Sequence, residues 1–596
     1  MENRVIRMKK ILQISAEAWM LLLSFLLPLK FGIFAGLPEA TAFFPEDLFS
    51  YLVVNWPATA FGLLTAPALL LCLAAFPEAC GRYRSLAWSF ALLWSAGLLL
   101  GALPGLCGIS SWDFAVLQFN HFGGIGCYAL AVYLLAAGST ERRRHLLAAL
   151  SGGFLLTVWF GIEQYFWGFA RSRAYLEQQA ANGVIVGEVL QARTDDNRVF
   201  ATFTSCNSLA GYLLLLTPLM SVLAWKLGQK VEPARISRVL FTAVAGGGGF
   251  TVFLLTKSRA GFLALALTAV LVLLAIPLKR WKKAVLIGGI VCFGLAGTWY
   301  IHAHGRGFLS MTARADYLRS SAILLASSPV TGCGWGEFFF EHVRIKKVQD
   351  KEAAHDPHNL LATQAQAGTG AVLIALAGMI LPFAVWYCRR KRGTLTAEDR
   401  AAMIGITAFL LHAMMDIDIQ IPGLMASFFA IAILFLCRES EAETPDLPRR
   451  KPVMVAVLCA GVLLAGWAWY SSSRELRGEM ALEALHSVTR LRELTPEERR
   501  QVTPERVNRA LLNAVAARPY SSQPWVSAGD YYFSIGDFDQ ADALYAEALK
   551  RAPKRASLYA ARARVALLRG DRAAAETLLE KAVALFPNHP GYRNMQ

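Results

Sequence analysis

Apolar runs of about 18 residues or more recur from the N-terminus to about residue 470, and charges are scarce inside them. One such run, wound as a helix, covers the hydrocarbon core of a bilayer, and the runs are too many to bury one another in a soluble domain. The sequence therefore predicts an all-α polytopic membrane helix bundle. Spans are expected at about 12–34, 56–78, 85–107, 114–137, 146–167, 207–227, 238–256, 260–278, 284–301, 370–388, 402–419, 421–437 and 453–470, about thirteen in all. The run that follows MENRVIRMKK is long and has no small-residue cleavage site after it, so it reads as a retained first helix.

Charge sets the expected orientation. The chain has 59 Lys and Arg against 43 Asp and Glu, a net charge of +16. In a soluble protein that excess would suggest nucleic acid, but here the basic residues gather in every second connection. Clusters occur at Arg4 to Lys10, at Arg82 and Arg84, at Arg142 to Arg144, and at Lys226 to Arg238. Others follow at Lys279 to Lys283, Arg389 to Arg392 and Arg449 to Lys451. Positively charged loops stay in the cytoplasm, which puts the N-terminus inside. An odd span count then puts the tail outside, and no nucleic-acid partner is expected. The cysteines include Cys72, Cys127, Cys292 and Cys459 inside apolar runs and form no CxxC pair, so neither a disulfide framework nor a thiolate metal site is indicated.

Two outer segments, 168–206 and 302–369, are too long to be simple connections and are the places where a site is expected. Basic residues on this face depart from the charge rule. Arg198, Lys257, Arg259, Arg314 and Arg319 lie outside or at the outer ends of spans. Arg259 follows Ser258 in LLTKSRAGFLALAL, a break of a few residues between two apolar runs. A lone arginine there could snorkel to lipid phosphates. Several converging on one pocket would seat a phosphate or diphosphate, because guanidinium presents its donors as a fork matched to those oxygens. In AAHDPHNLLATQAQAG, His355 and His358 flank Asp356 without the spacing of a metal site. An imidazole titrates near neutrality, so His358 is a candidate to take a proton from an attacking hydroxyl, with Asn359 placed to orient it. Glu163 and Gln164 in FGIEQYF would be the polar pair to inspect if the bundle were instead a secondary transporter or a flippase for a lipid-linked glycan.

After about residue 470 the character changes. Residues 1–470 form the expected membrane domain, 471–499 a linker or helix, and 500–596 a periodic region. Gly536 and Gly570 are 34 residues apart, as are Ala548 and Ala582, and Pro519, Pro553 and Pro587 repeat that interval. The spacing, with glycine at a turn and proline ending each unit, resembles tetratricopeptide repeats. Such repeats hold partners or pack as spacers and carry no chemistry of their own.

The ordered series RVFATFTSCNSLAGYLLLLTPL, TKSRAGFLALAL, RADYLRSSAILLASSPVTGCGWGEF, HDPHNLLATQAQAG and LLHAMMDIDIQIPG resembles the O-antigen ligase and polymerase superfamily over roughly residues 110–440. The resemblance implies a glycosyltransferase of the bacterial inner membrane that takes a glycan from undecaprenyl diphosphate at the periplasmic face. It implies inversion at the anomeric carbon, no cofactor and no metal. The acceptor would be a second glycan, lipid A core or a protein, the last making the chain a protein O-oligosaccharyltransferase, and polysaccharide-assembly proteins could dock on the repeats. On this resemblance Arg198, Arg259 and Arg314 act on the donor diphosphate with Arg319 beside them, and His358 is the general base. Asn207, Ser258, Asn359 and His355 support them. The sequence departs from the pattern at Ser205-Cys206, where a proline is common, at the G-C-G of 332–334, and at Gln366, where an acidic residue is common.

Overall fold

The computed structural model describes residues 2–35, 54–80, 111–181, 194–303, 309–348, 353–437, 451–490 and 496–593, with the isolated positions 48, 90, 93, 94 and 100. The 35–55 loop and the 85–107 span lie almost wholly outside the described residues. The described chain is helical with no strand. Its membrane part comprises α1 (Glu2–Lys30), α2 (Ala60–Ala75), α3 (Trp112–Ala136), α4 (Thr140–Glu163) and α5 (Phe169–Ala181). There follow α6 (Cys206–Gly228), α7 (Ala234–Leu255), α8 (Arg259–Ala275) and α9 (Arg280–Ala303). The outer segment holds α10 (Leu309–Ser327), α11 (Phe338–Ile345) and α12 (Leu360–Ala365). The bundle closes with α13 (Thr369–Lys391), α14 (Ala397–Ala413), α15 (Pro422–Cys437) and α16 (Lys451–Thr489).

Among the described residues, seven helices are long and apolar enough to cross a membrane, and α2, α8 and α15 are shorter apolar helices. This is a multi-pass membrane bundle. Every residue of α15 is buried, as expected of a helix that is hydrophobic all round and packed at the centre. By contrast α7, α8 and α13 expose Val239, Val244, Phe250, Leu263, Leu267, Leu271, Leu373 and Ile380 along their outer faces. Surfaces of that kind are at home in lipid and would be aggregation-prone in water. Close approach within the bundle depends on small residues. A Cβ on Gly405 of α14 would lie 2.0 Å from the Leu215 carbonyl oxygen of α6, so only glycine allows these two helices to touch there.

The bundle sorts its polar residues to two ends. At one end Lys226 pairs with Glu398, Arg143 Nη1 donates to the Cys437 carbonyl at 3.3 Å, and Arg390 Nη2 donates to the Ala275 carbonyl at 2.8 Å. Lys9 pairs with Glu78 at that same end. These are the clusters that alternate along the sequence, now brought together. The opposite end collects Arg198, Asn207, Arg259 and Arg314.

The C-terminal region is all-helical: α17 (Pro504–Ala517), α18 (Gln523–Ser534), α19 (Phe538–Arg551), α20 (Ala556–Leu568) and α21 (Arg572–Leu585). Gly536 and Gly570, at φ +85° and +83°, make the turns inside the two helix pairs, a conformation that a Cβ would strain. Asp537 and Asp571 then cap α19 and α21 by accepting from the Gln540 and Ala574 amides. A further helix pair, ahead of these two, is completed from an unexpected source. α16 runs unbroken past residue 470, and its last turns bring Leu482, Leu485 and Val488 into one core with Val507, Leu511 and Ala514 of α17. A membrane span thus ends as the first helix of the repeat array.

Candidate functional site

The break between α7 and α8 is local chemistry. Lys257 takes φ +50°, and Ser258, fully buried, accepts from the Gly261 amide at 3.1 Å and so starts α8. Arg259 follows in the first helical turn, exposed, with no protein partner for its guanidinium among the described residues. A cation at a helix N-terminus opposes the helix dipole by about 0.3–1 kcal/mol. An anion placed there would reverse that sign and meet free backbone amides as well.

Arg259 lines a cavity of about 480 Å³ together with Asp196, Arg198, Asn207, Lys257, Ala260 and Arg314. Three distant stretches of sequence supply it: the segment before α6, the α7–α8 break, and the first half of α10. Arg198, Asn207, Arg314 and Lys257 are each held in place. Arg198 Nε donates to the Thr256 carbonyl at 3.2 Å, and its Nη2 donates to Asn207 Oδ1 at 3.2 Å. Asn207 Nδ2 donates to Asp416 Oδ2 at 2.8 Å. The two ends of that carboxamide serve opposite needs, so its orientation is fixed by both neighbours. Arg314 Nη2 donates to the same Asp416 oxygen at 3.0 Å, while Lys257 Nζ donates to the Asp196 carbonyl at 3.0 Å. Four cations face two carboxylates, Asp196 at the wall and Asp416 behind it. The surplus is positive and the donors are pre-set, which is the electrostatics of an oxyanion seat.

Asp416 was not singled out from the sequence. It is buried, and its Oδ1 accepts from the Ile417 amide at 2.9 Å. The signal for it was a pair of aspartates, Asp416 and Asp418, within an apolar stretch, where a carboxylate has to find partners. Asp418 has one: its Oδ2 lies 2.5 Å from His412 Nδ1, both side chains fully buried. Gln420 Nε2 donates to Asp356 Oδ2 at 3.0 Å, tying this segment to the loop that carries His358.

The structure places His358 beside the cavity and outside its lining. Tyr317, one helical turn after Arg314 on α10, stacks on the His358 ring with centroids 5.8 Å apart and planes inclined 22°. The His358 backbone sits at φ +54°, held by its amide donating to Asp356 Oδ1 at 2.9 Å. Asp356 also accepts from Thr363, and burial pushes its carboxyl above the usual range, although His358, Gln420 and Thr363 work against that. The His358 Nδ1 atom is shielded and has no hydrogen-bond partner.

Asn359 is used differently from the expectation that it orients the imidazole. Its Oδ1 accepts from the Leu361 and Ala362 amides, capping α12, and its Nδ2 donates to the Met414 carbonyl at 2.6 Å. It therefore fixes the turn two residues before Asp416. Arg319 is also apart from the cavity, donating to Asp316 and to the Ile345 carbonyl. His355 stacks on Phe339 with ring centroids 4.5 Å apart. Glu163 pairs with Arg171, while Gln164 Oε1 accepts from the Phe200 and Ala201 amides at 2.9 and 2.8 Å. Gln164 thereby shapes the approach of the Arg198 segment. Among the described residues no three His, Cys, Asp or Glu side chains gather into a set that could hold a metal ion.

Comparison with known proteins falls on the stretches that carry Lys257, Arg259, Arg314 and His358, with Arg198, Asn207 and Asp416 outside the match. Residues 245–368 match the family model described as O-antigen ligase, and residues 532–596 match a tetratricopeptide repeat model. The chain thus carries a domain of the O-antigen ligase and polymerase kind, joined to a C-terminal tetratricopeptide-like repeat region. Over 139 residues it is 27% identical to the formate-dependent nitrite reductase complex subunit NrfG of Escherichia coli O157:H7. That match covers 23% of this chain and 64% of the relative, so the chain spans less than two thirds of that protein's length.

Proposed function

We propose that the protein transfers or polymerises glycans carried on undecaprenyl diphosphate, at the periplasmic face of the inner membrane. The observation that carries this reading is the convergence of Arg198, Lys257, Arg259 and Arg314 on one cavity at the end of the bundle opposite the basic loops. The donor leaves as a polyprenyl diphosphate, and guanidinium groups gathered in the cavity stabilise the charge that grows as the bond breaks. They supply that charge themselves, so the step calls for no metal ion. The exposed apolar faces of α7 and α8 leave room beside the cavity for an isoprenoid chain.

The acceptor hydroxyl loses its proton as it attacks. His358, next to the cavity on the loop before α13, is the group suited to take it. A single displacement inverts the anomeric centre and leaves no sugar bound to the enzyme. Arg198, Arg259 and Arg314 hold the donor in this scheme. Asn207 holds Arg198, Asp416 holds Arg314, Ser258 starts the helix that carries Arg259, and Asn359 holds the turn behind Asp416. The basic loops stay in the cytoplasm with the N-terminus, and the repeats lie outside. Reporter fusions after residues 390 and 480 should therefore give cytoplasmic and periplasmic signals respectively.

The deciding experiment supplies purified protein with an undecaprenyl-diphosphate glycan and, in parallel, lipid A core, a second lipid-linked glycan and an acceptor protein. Transfer to one of the three names the acceptor. Intact donor in all three, in protein that binds it, would sink the reading and favour a transporter or flippase.

A further inference from the structure

Among the described residues the repeat region meets the outer segment along α11, and the contact has a repeat logic of its own. Lys554 Nζ lies 2.8 Å from Glu341 Oε1 and 3.4 Å from Glu337 Oε2. Asn588, one 34-residue period further on, donates from Nδ2 to the Lys346 carbonyl at 3.2 Å, and the Lys346 ammonium sits 5.8 Å from the Phe586 ring centroid. Lys554 and Asn588 each follow the proline that ends a unit, Pro553 and Pro587. Equivalent positions of consecutive repeats thus grip the two ends of α11.

What α11 carries leads toward the site. Glu337 is buried, and its Oε1 accepts from the Ser111 amide at the start of α3 at 2.8 Å, so one carboxylate joins bundle, loop and repeats. Burial holds its carboxyl above the usual range, and the Lys554 ammonium works against this. In the next turn the Phe338 and His342 rings stack at 5.3 Å. Both pack edge-on against Tyr317, at 6.3 and 5.1 Å, and His342 Nδ1 lies 2.9 Å from Ser320 Oγ on the same helix as Tyr317. Tyr317 is the ring on which His358 stacks.

We propose that Lys554 is a positioning residue for the transfer reaction: paired with Glu337 and Glu341, it lets the repeat region hold α11, and through Phe338 and His342 it fixes Tyr317 and the stacked His358. The inference rests on the reading of His358 as the base. A partner that pulls the repeats off this edge would slow transfer without entering the cavity.

The test uses full-length protein in detergent or nanodiscs, with Lys554→Arg, Lys554→Glu, Glu341→Lys and the double variant Lys554→Glu/Glu341→Lys. Two quantities are read: hydrogen exchange of peptides spanning 338–346, and kcat and donor KM for glycan transfer. Lys554→Glu and Glu341→Lys should each raise exchange and lower kcat by about 2- to 30-fold with KM kept. Lys554→Arg should keep both near the wild-type values, and the charge swap should recover them in part, because a carboxylate at position 554 still faces Glu337 and an ammonium at position 341 meets Arg344. Unchanged exchange in both single variants would overturn the docking itself. Raised exchange with normal kcat would overturn the coupling and leave the transferase reading intact. Wild-type protein that binds donor but transfers nothing would end the transferase reading and the positioning role with it, while exchange would still decide whether the edge is docked.

Discussion

The base of the repeats and the outer cavity both set arginine against buried carboxylate, and they differ in which side has the surplus. At the base of the repeats Arg518, 5% exposed, meets Glu475 at 2.9 Å and Glu479 at 3.4 Å, and its Nη2 also donates to the Glu475 carbonyl. Thr59 of the bundle donates to Glu479 at 2.9 Å. Two carboxylates close around this one guanidinium. At the outer cavity four cations meet two carboxylates, and Arg259 has no protein partner among the described residues. A closed set of this kind locks helices together, whereas an open one leaves donors for something that is not protein. The contrast separates stability from function, and each of the following measurements either breaks it or sharpens it.

The largest effect belongs to the open region. His358→Ala should lower transfer by about 10²- to 10⁴-fold with donor affinity kept, because the lost interaction exists only in the transition state. His355→Ala, on the Phe339 side of the loop, should keep its turnover. Loss of donor binding at position 358 would make that residue a diphosphate ligand instead. The closed region should answer in the other currency. Arg518→Ala leaves Glu475 and Glu479 buried without a counter-charge and should cost about 3–5 kcal/mol in denaturant unfolding of the repeat end, while donor binding by the folded fraction is unchanged. Normal unfolding would show that the pair contributes nothing to docking.

Replacing Arg198, Arg259 or Arg314 with lysine keeps the charge and loses the fork, so each should lower turnover by about 10- to 100-fold in inserted protein. Near wild-type turnover in all three would reduce the cavity to a general positive field. The smallest expected change is Thr59→Val, which removes one hydrogen bond to a buried carboxylate and should cost about 1.5 kcal/mol or slightly more in the same unfolding measurement.

Much of this arrangement was legible before any coordinates. Apolar run length marked the described spans, and the 34-residue interval marked the repeat turns at Gly536 and Gly570, because both are local properties of the chain. Arg198, Arg259 and Arg314 stood out because they break the charge rule for outer loops. What the sequence hides is pairing between distant segments. Arg314 and Arg319 look alike in RADYLRSS, yet five helical residues rotate a side chain by about 140°, so only one of them faces the cavity. Asp416 sits in an apolar run with no spacing pattern to announce that it would hold Arg314 and Asn207. The cap made by Asn359 is local, but the Met414 carbonyl that its amide reaches is 55 residues away. The charge shift after residue 470 suggested a boundary, whereas RELRGEMALEALHS is rich in good helix formers and gives α16 no proline to stop it.

That unbroken helix also acts as a gear. With 39 residues it is about 58 Å long, and each residue along it advances about 1.5 Å and turns 100°. The angular position of the repeats is therefore set by the number of residues between the last membrane-embedded turn and Glu475. One residue inserted after Tyr470 would swing Leu482, Leu485 and Val488 by about 100° off the seam with α17 and carry Lys554 away from Glu341. A whole turn would nearly restore the phase and shift the array by about 5.4 Å along the axis. A flexible linker transmits none of this. A tilt or rotation of the last span would reach the repeats as a rotation and, by way of Lys554, the helix α11.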